Sequence, residues 1–72
     1  MKGGEQMKEI SVADRLRNAR QKKGCPAKTT ADACGITENA VYMYENGYRV
    51  PRDEIKKKLA EFYGISIPEL FF

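Results

Sequence analysis

An all-α domain of five short helices, the second and third crossing through a tight turn, is what the sequence predicts, and three observations carry it. The first is a set of residue types at fixed spacing: Ala31, Gly35 four positions later and Val41 six beyond that. Alanine leaves room for a close helix crossing, glycine takes a positive φ in the turn, and a β-branched apolar residue packs beneath the second helix. The second is punctuation, because Gly24, Gly35, Gly47 and Gly64 each follow a stretch with apolar residues at helical spacing. The third is the lack of any alternating strand pattern, internal repeat or low-complexity segment. Together they place a helix-turn-helix between Ala27 and Gly47.

In chain order, residues 1–10, MKGGEQMKEI, have glycines and no apolar periodicity, and read as a flexible arm ahead of a domain spanning residues 11–72. Met7 is a second candidate start besides Met1. Ser11 followed by Asp14 resembles a capping box with Asp in place of Glu, so the first helix begins there. Val12, Leu16 and Ala19 share one face of it, Arg20 lies beside them, and Gly24 ends the run. The second helix starts near Pro26, which suits a first helical position, and ends before Gly35. Its inner face is Ala27, Thr30, Ala31 and Cys34, with the Thr30 hydroxyl expected to bond back to a carbonyl of the preceding turn. Thr37 caps the third helix, Glu38 to Asn46, which turns Ala40, Val41 and Tyr44 inward and Glu38, Asn39, Tyr42 and Met43 toward the open side.

Pro51 then holds Val50 extended, and the fourth helix follows from about Arg52 until Gly64 ends it. Ile55, Leu59, Phe62 and Tyr63 form its buried stripe, Lys56, Lys57 and Lys58 lie largely outside, and Asp53 and Glu54 suit the positive end of its dipole. Ser66, Pro68 and Glu69 make a second capping box, for a short fifth helix from Pro68 to Phe72.

At 72 residues the chain has room for one domain with a small core. No run approaches the roughly 18 apolar residues of a membrane span, and MKGGEQMKEI lacks a signal peptide's apolar stretch, so a cytoplasmic location is expected. Cys25 and Cys34, with no histidine, cannot supply the four ligands of a structural zinc site, and no metal or other cofactor is expected. Cys34 reads as a small buried apolar residue and Cys25 as a partly exposed thiol, both reduced. With no histidine and no nucleophile beside a base, no catalytic residue is expected either. The net charge of +3 is unevenly spread: seven basic against three acidic residues in 1–24, one against three in 25–47, and five against four thereafter. Positive charge flanks the central motif, as it does where phosphate contacts surround a less charged base-reading element.

Arg20 in the first helix, the Ala31, Gly35 and Val41 set, the run Glu45, Asn46, Gly47, Arg49 and Pro51, and the ending YGISIPEL from Tyr63 to Leu70 share one pattern. In these residues the stretch from Leu16 to Leu70 resembles the Cro/C1-type (Xre) family of helix-turn-helix regulators of bacteria, phages and mobile elements. The resemblance implies a five-helix lambda-repressor-like DNA-binding domain whose third helix enters the major groove of double-stranded operator DNA. It also implies a partly buried ion pair between Arg20 and Glu45, tying the first helix to the end of the third. Physical chemistry agrees, because an arginine on an apolar face and a glutamate at a crowded helix end both need partners, and guanidinium meets carboxylate with two parallel bonds.

At the matched base-reading positions stand Glu38, Asn39, Tyr42 and Met43. Asn39 suits adenine N6 and N7, Glu38 can accept from cytosine N4, and Tyr42 or Met43 can touch a thymine methyl. Lys28, Tyr48, Arg49 and Arg52 are the phosphate candidates. The glutamine that family members often carry at the position of Ala27, and the leucine at that of Thr30, are absent, and the reading face has no arginine or lysine. Leu70, Phe71 and Phe72 offer a homodimer contact, since such proteins read half-sites about 34 Å apart as symmetric pairs. A sequence-specific transcriptional regulator, repressing a bacterial or mobile-element operon, is therefore expected. The alternative is a protein-interaction module of antitoxin or anti-repressor type on the same fold.

Overall fold

The computed structural model describes residues 11–72, which form five helices and no strand; the expected arm, residues 1–10, with both candidate starts, lies outside the described residues. Helix α1 (Val12–Lys23) opens where the Ser11 hydroxyl accepts the Asp14 amide at 3.1 Å, and closes where the Gly24 amide donates to the Arg20 and Gln21 carbonyls. Asp14 does not complete a reciprocal box; its carboxylate accepts from Arg17 instead, at 3.0 Å. Helix α2 (Ala27–Cys34) begins one residue later than the sequence suggests. Pro26 is its extended N-cap, and the Pro26 carbonyl accepts the Thr29 and Thr30 amides at 3.1 and 3.4 Å, so the first turn is built on that carbonyl.

Helix α3 (Glu38–Glu45) ends at Glu45: Asn46 caps it, its backbone and side-chain amides both donating to the Tyr42 carbonyl at 2.9 Å, and Gly47 at φ 78° turns the chain out. Helix α4 (Asp53–Tyr63) has Arg52 as its N-cap. Helix α5 (Ile67–Phe71) starts at a full capping box: the Ser66 hydroxyl accepts the Glu69 amide, and the Glu69 carboxylate accepts the Ser66 amide. This helix sits one residue earlier than expected.

Leu16 and Ala19 of α1, Cys34 of α2, Leu59 and Ala60 of α4 and Leu70 and Phe71 of α5 make the main core. A second cluster, Ala27, Ala31 and Val41 with Ile36 against it, binds α2 to α3. The expected dimer contact is corrected here. Leu70 and Phe71 are 1% and 6% exposed, because α5 packs against both α1 and α4 and turns these two side chains inward. Phe72 alone of the three stays outside, 79% exposed. Lys56 Nζ sits 5.6 and 5.4 Å from the Phe71 and Phe72 ring centroids, so this lysine covers apolar surface instead of pointing away from it.

Thr30 is a second correction. Its hydroxyl is fully buried and meets the Tyr63 hydroxyl at 3.3 Å and Cys25 Sγ at 3.6 Å, with no bond back to its own helix. α2 packs on α4 here, so a leucine at this position would take a partner from the Tyr63 hydroxyl. Among the described residues every buried side-chain nitrogen and oxygen is satisfied.

Burial pushes the Tyr63 phenol from 10.0 up to about 12, against the opposing effect of its Thr30 bond. Between those two values the unfolded chain has released the proton and the folded chain has not, so the unfolded state binds fewer protons and stability falls as pH rises. This contribution is intact below pH 10 and is lost as the pH passes through about 12. Urea unfolding followed across that range is expected to show the decline, and Tyr63→Phe to remove this part of it. An unchanged decline in the phenylalanine variant would assign it to other groups.

Candidate nucleic-acid interface

The open face of α3 is set by how firmly both ends of the helix are held. At the near end Gly35, at φ 69°, turns the chain out of α2, and Ile36 donates to the Ala31 carbonyl at 3.0 Å. The Thr37 hydroxyl then takes the Ala40 amide at 3.0 Å. Ala31 and Val41, each 2% exposed, meet where the two helices cross. Ala27 is equally buried in the same cluster, so the position where the family often has glutamine is used for packing.

At the far end, Arg20 Nε donates to Glu45 Oε2 at 2.6 Å and Nη2 to Oε1 at 3.0 Å, while Nη1 donates to the Cys25 carbonyl at 3.1 Å. The Glu45 side chain is 5% exposed and that of Arg20 18%, so the fork is largely shielded from water. The bond from Glu45 holds the Arg20 guanidinium above its ordinary pKa, outweighing partial desolvation. Arg17 is a residue the sequence reasoning passed over. Its Nη2 donates to the Glu45 carbonyl at 2.6 Å, giving the last turn of α3 a second tie to α1. The available signal was its spacing, three before Arg20 and therefore on a neighbouring part of the same helix face.

Of the base-reading candidates, Glu38 and Asn39 are exposed, Tyr42 is 44% exposed and Met43 is half-buried. The Tyr42 hydroxyl donates to Glu38 Oε2 at 3.4 Å, one helical turn away. Helix α3 has no basic side chain. The phosphate candidates stand on the segments before and after it. Lys28 lies on the first turn of α2, exposed, with Nζ 3.6 Å from Asp32 Oδ2. The Tyr48 and Arg49 amides both donate to the Met43 carbonyl, at 2.9 and 3.4 Å, which folds the outgoing loop against the end of α3. Tyr48 is 76% exposed, and Arg49 and Arg52 line one concavity with Ile36, Tyr44 and Glu54. Thus Tyr48 and Arg49 are fixed to α3 and Arg52 shares a wall with Arg49, while Lys28 belongs to the other helix of the motif.

A helix-turn-helix family model matches residues 16–70, which takes in all of α2, α3 and α4 and most of α1 and α5. The chain belongs to the Cro/C1-type helix-turn-helix family. Relatives in this family include the cryptic phage CTXphi transcriptional repressor RstR of Vibrio cholerae, 33% identical over 81% of this chain and 52% of that protein. Two from Bacillus subtilis (strain 168) are the HTH-type transcriptional regulators ImmR, 37% identical over 79% of this chain and 45% of its own length, and AnsR, 39% identical over 79% and 49%. This Cro/C1-type chain therefore spans about half the length of the curated relatives it matches. Its fold is that of the P22 c2 repressor in the crystal structure with synthetic operator 9T and Tl+: TM-score 0.85, 19% identity, covering 88% of this chain and 96% of that one. Among the described residues no group of three or more His, Cys, Asp or Glu could hold a metal ion, and no helix is long and apolar enough to cross a membrane.

Proposed function

We propose that this chain is a sequence-specific, non-enzymatic DNA-binding regulator, a repressor of a bacterial or phage-derived operon acting in the cytoplasm. In this reading α3 enters the major groove, Asn39 and Glu38 meet base edges, Tyr42 and Met43 border them, and Lys28, Tyr48, Arg49 and Arg52 hold phosphates on either side. The observation that carries it is the mounting of α3, pinned through Thr37 and Val41 at one end and through Arg17, Arg20 and Glu45 at the other, with Glu38 and Asn39 left exposed. Recognition by an α-helix in the groove needs such rigid placement, since a base contact is lost within a fraction of an ångström. The repressor and regulator names of the relatives, and a shared fold with a repressor solved on its operator, point the same way. Two copies pairing through exposed Phe72, without Leu70 and Phe71, would read a two-fold operator.

One observation favours the second reading, a protein-interaction module: the open face of α3 is acidic and aromatic and has no cation. Salt separates the two. Binding of the chain to a pool of genomic DNA fragments is expected at low salt, and its affinity is expected to fall linearly on logarithmic axes as salt is added, by a slope of about 0.9 for each phosphate contacted. Arg49→Ala should reduce that slope by about 1 and weaken all sequences alike. Absence of affinity at low salt, or affinity indifferent to salt, would leave the interaction module as the better reading.

A further inference from the structure

Resting on the DNA-binding reading above, we infer that Tyr42 is a positioning residue for Glu38, and that the pair is a filter admitting a base with an exposed amino group, cytosine or adenine, opposite the first turn of α3. Glu38 is the first residue of α3 and Tyr42 lies one turn on, with the phenol hydroxyl donating to Glu38 Oε2 at 3.4 Å. Both side chains are exposed, so packing does not force them together. Among the described residues the ion pairs join Arg20 to Glu45, Arg17 to Asp14 and Lys28 to Asp32, and none reaches the Glu38 carboxylate. Tyr42 is the side-chain partner that remains.

The chemistry of the groove gives this arrangement its selectivity. An ionised carboxylate accepts hydrogen bonds and donates none. In the major groove guanine shows O6 and N7 and thymine shows O4, all acceptors, whereas cytosine N4 and adenine N6 are donors. A carboxylate facing guanine or thymine sets acceptor against acceptor beside the phosphates, and facing cytosine or adenine it makes a charge-assisted bond. A free glutamate escapes the bad encounter by swinging into water, which erases the discrimination. The phenol opposes that escape: while Tyr42 donates to Oε2, Oε1 is left free to meet the base, and the wrong base bears more of the penalty. Tyr42 thus acts through Glu38, and the acidity of the face, unfavourable for binding phosphate, excludes bases.

The test is selection from a random duplex library with the full chain, followed by sequencing, for the parent protein, Glu38→Gln, Tyr42→Phe and the double variant. Melting temperatures are measured alongside; exposed positions are expected to leave them unchanged. The parent should favour cytosine or adenine over guanine and thymine at one position by about 10-fold. Glu38→Gln and Tyr42→Phe should each erase most of that preference at the same position, with the salt slope unaltered, and adding Tyr42→Phe to Glu38→Gln should change nothing further. A preference untouched by Tyr42→Phe, a change at another position, or an additional loss in the double variant would overturn the positioning role. A parent chain that shows no salt-dependent binding to any DNA would instead remove the DNA-binding reading itself.

Discussion

Glu45→Ala is expected to destabilise the fold by about 3 kcal/mol, because it strands the largely buried Arg20 guanidinium without its carboxylate. For a domain of this size the loss corresponds to a fall in melting temperature of ~12–24 °C. Truncating one partner is costly, while removing both is not. A methionine at each position fills similar volume with no charge to desolvate, so Arg20→Met with Glu45→Met should lose less than the two single changes summed. Arg20→Lys keeps the charge and loses the fork that reaches both carboxylate oxygens and the Cys25 carbonyl, and should fall between parent and Glu45→Ala. Thermal unfolding of these variants reads the whole series. A Glu45→Ala protein melting with the parent would show that the pair contributes nothing net to stability.

Asn39→Ala is expected to weaken operator binding by about 1–3 kcal/mol, roughly 5- to 150-fold, and to relax the choice of base at one position. The side chain is exposed on the second position of α3 and makes no side-chain hydrogen bond among the described residues, so its amide is available for the paired donor and acceptor of adenine. The same exposure predicts a stability change within about 0.5 kcal/mol. Arg49→Ala is the informative contrast, since a phosphate contact fixes register and carries no sequence information. Titrating both variants against the selected duplex and a scrambled one distinguishes the roles. An Asn39→Ala chain with parental affinity for both would remove Asn39 from base reading.

What the sequence made legible divides along the line between local and tertiary causes. Ser11, Thr37 and Ser66 cap helices through bonds to residues three positions on, and a signal that short survives in the sequence. The fixed spacing of Ala31, Gly35 and Val41 across the turn likewise brings Ala31 of α2 against Val41 of α3, and periodicity along α3 puts Glu38, Asn39 and Tyr42 outside. Pro26 slipped by one because proline suits both the cap and the first helical position. Thr30 was misassigned because its partner, Tyr63, lies 33 residues away and on another helix. Phe71 and Phe72 look alike in sequence, and only the packing of α5, which ends at Phe71, against α1 and α4 buries the first and leaves the second exposed. Within the site, the face of α3 could be read from periodicity. For the tie from Arg17 to the Glu45 carbonyl, spacing puts Arg17 near Arg20 on α1 but does not choose its partner, which the packing of α1 on α3 decides.

The most direct test of a DNA-reading α3 is a map of backbone amide chemical shifts recorded as a selected operator duplex is added to the chain. Perturbations are expected to concentrate on 27–29, 37–43 and 48–52, the first turn of α2, the open face of α3 and the loop that folds back on it. Perturbations gathered instead on α1 and α5, with α3 unmoved at saturating duplex, would contradict it.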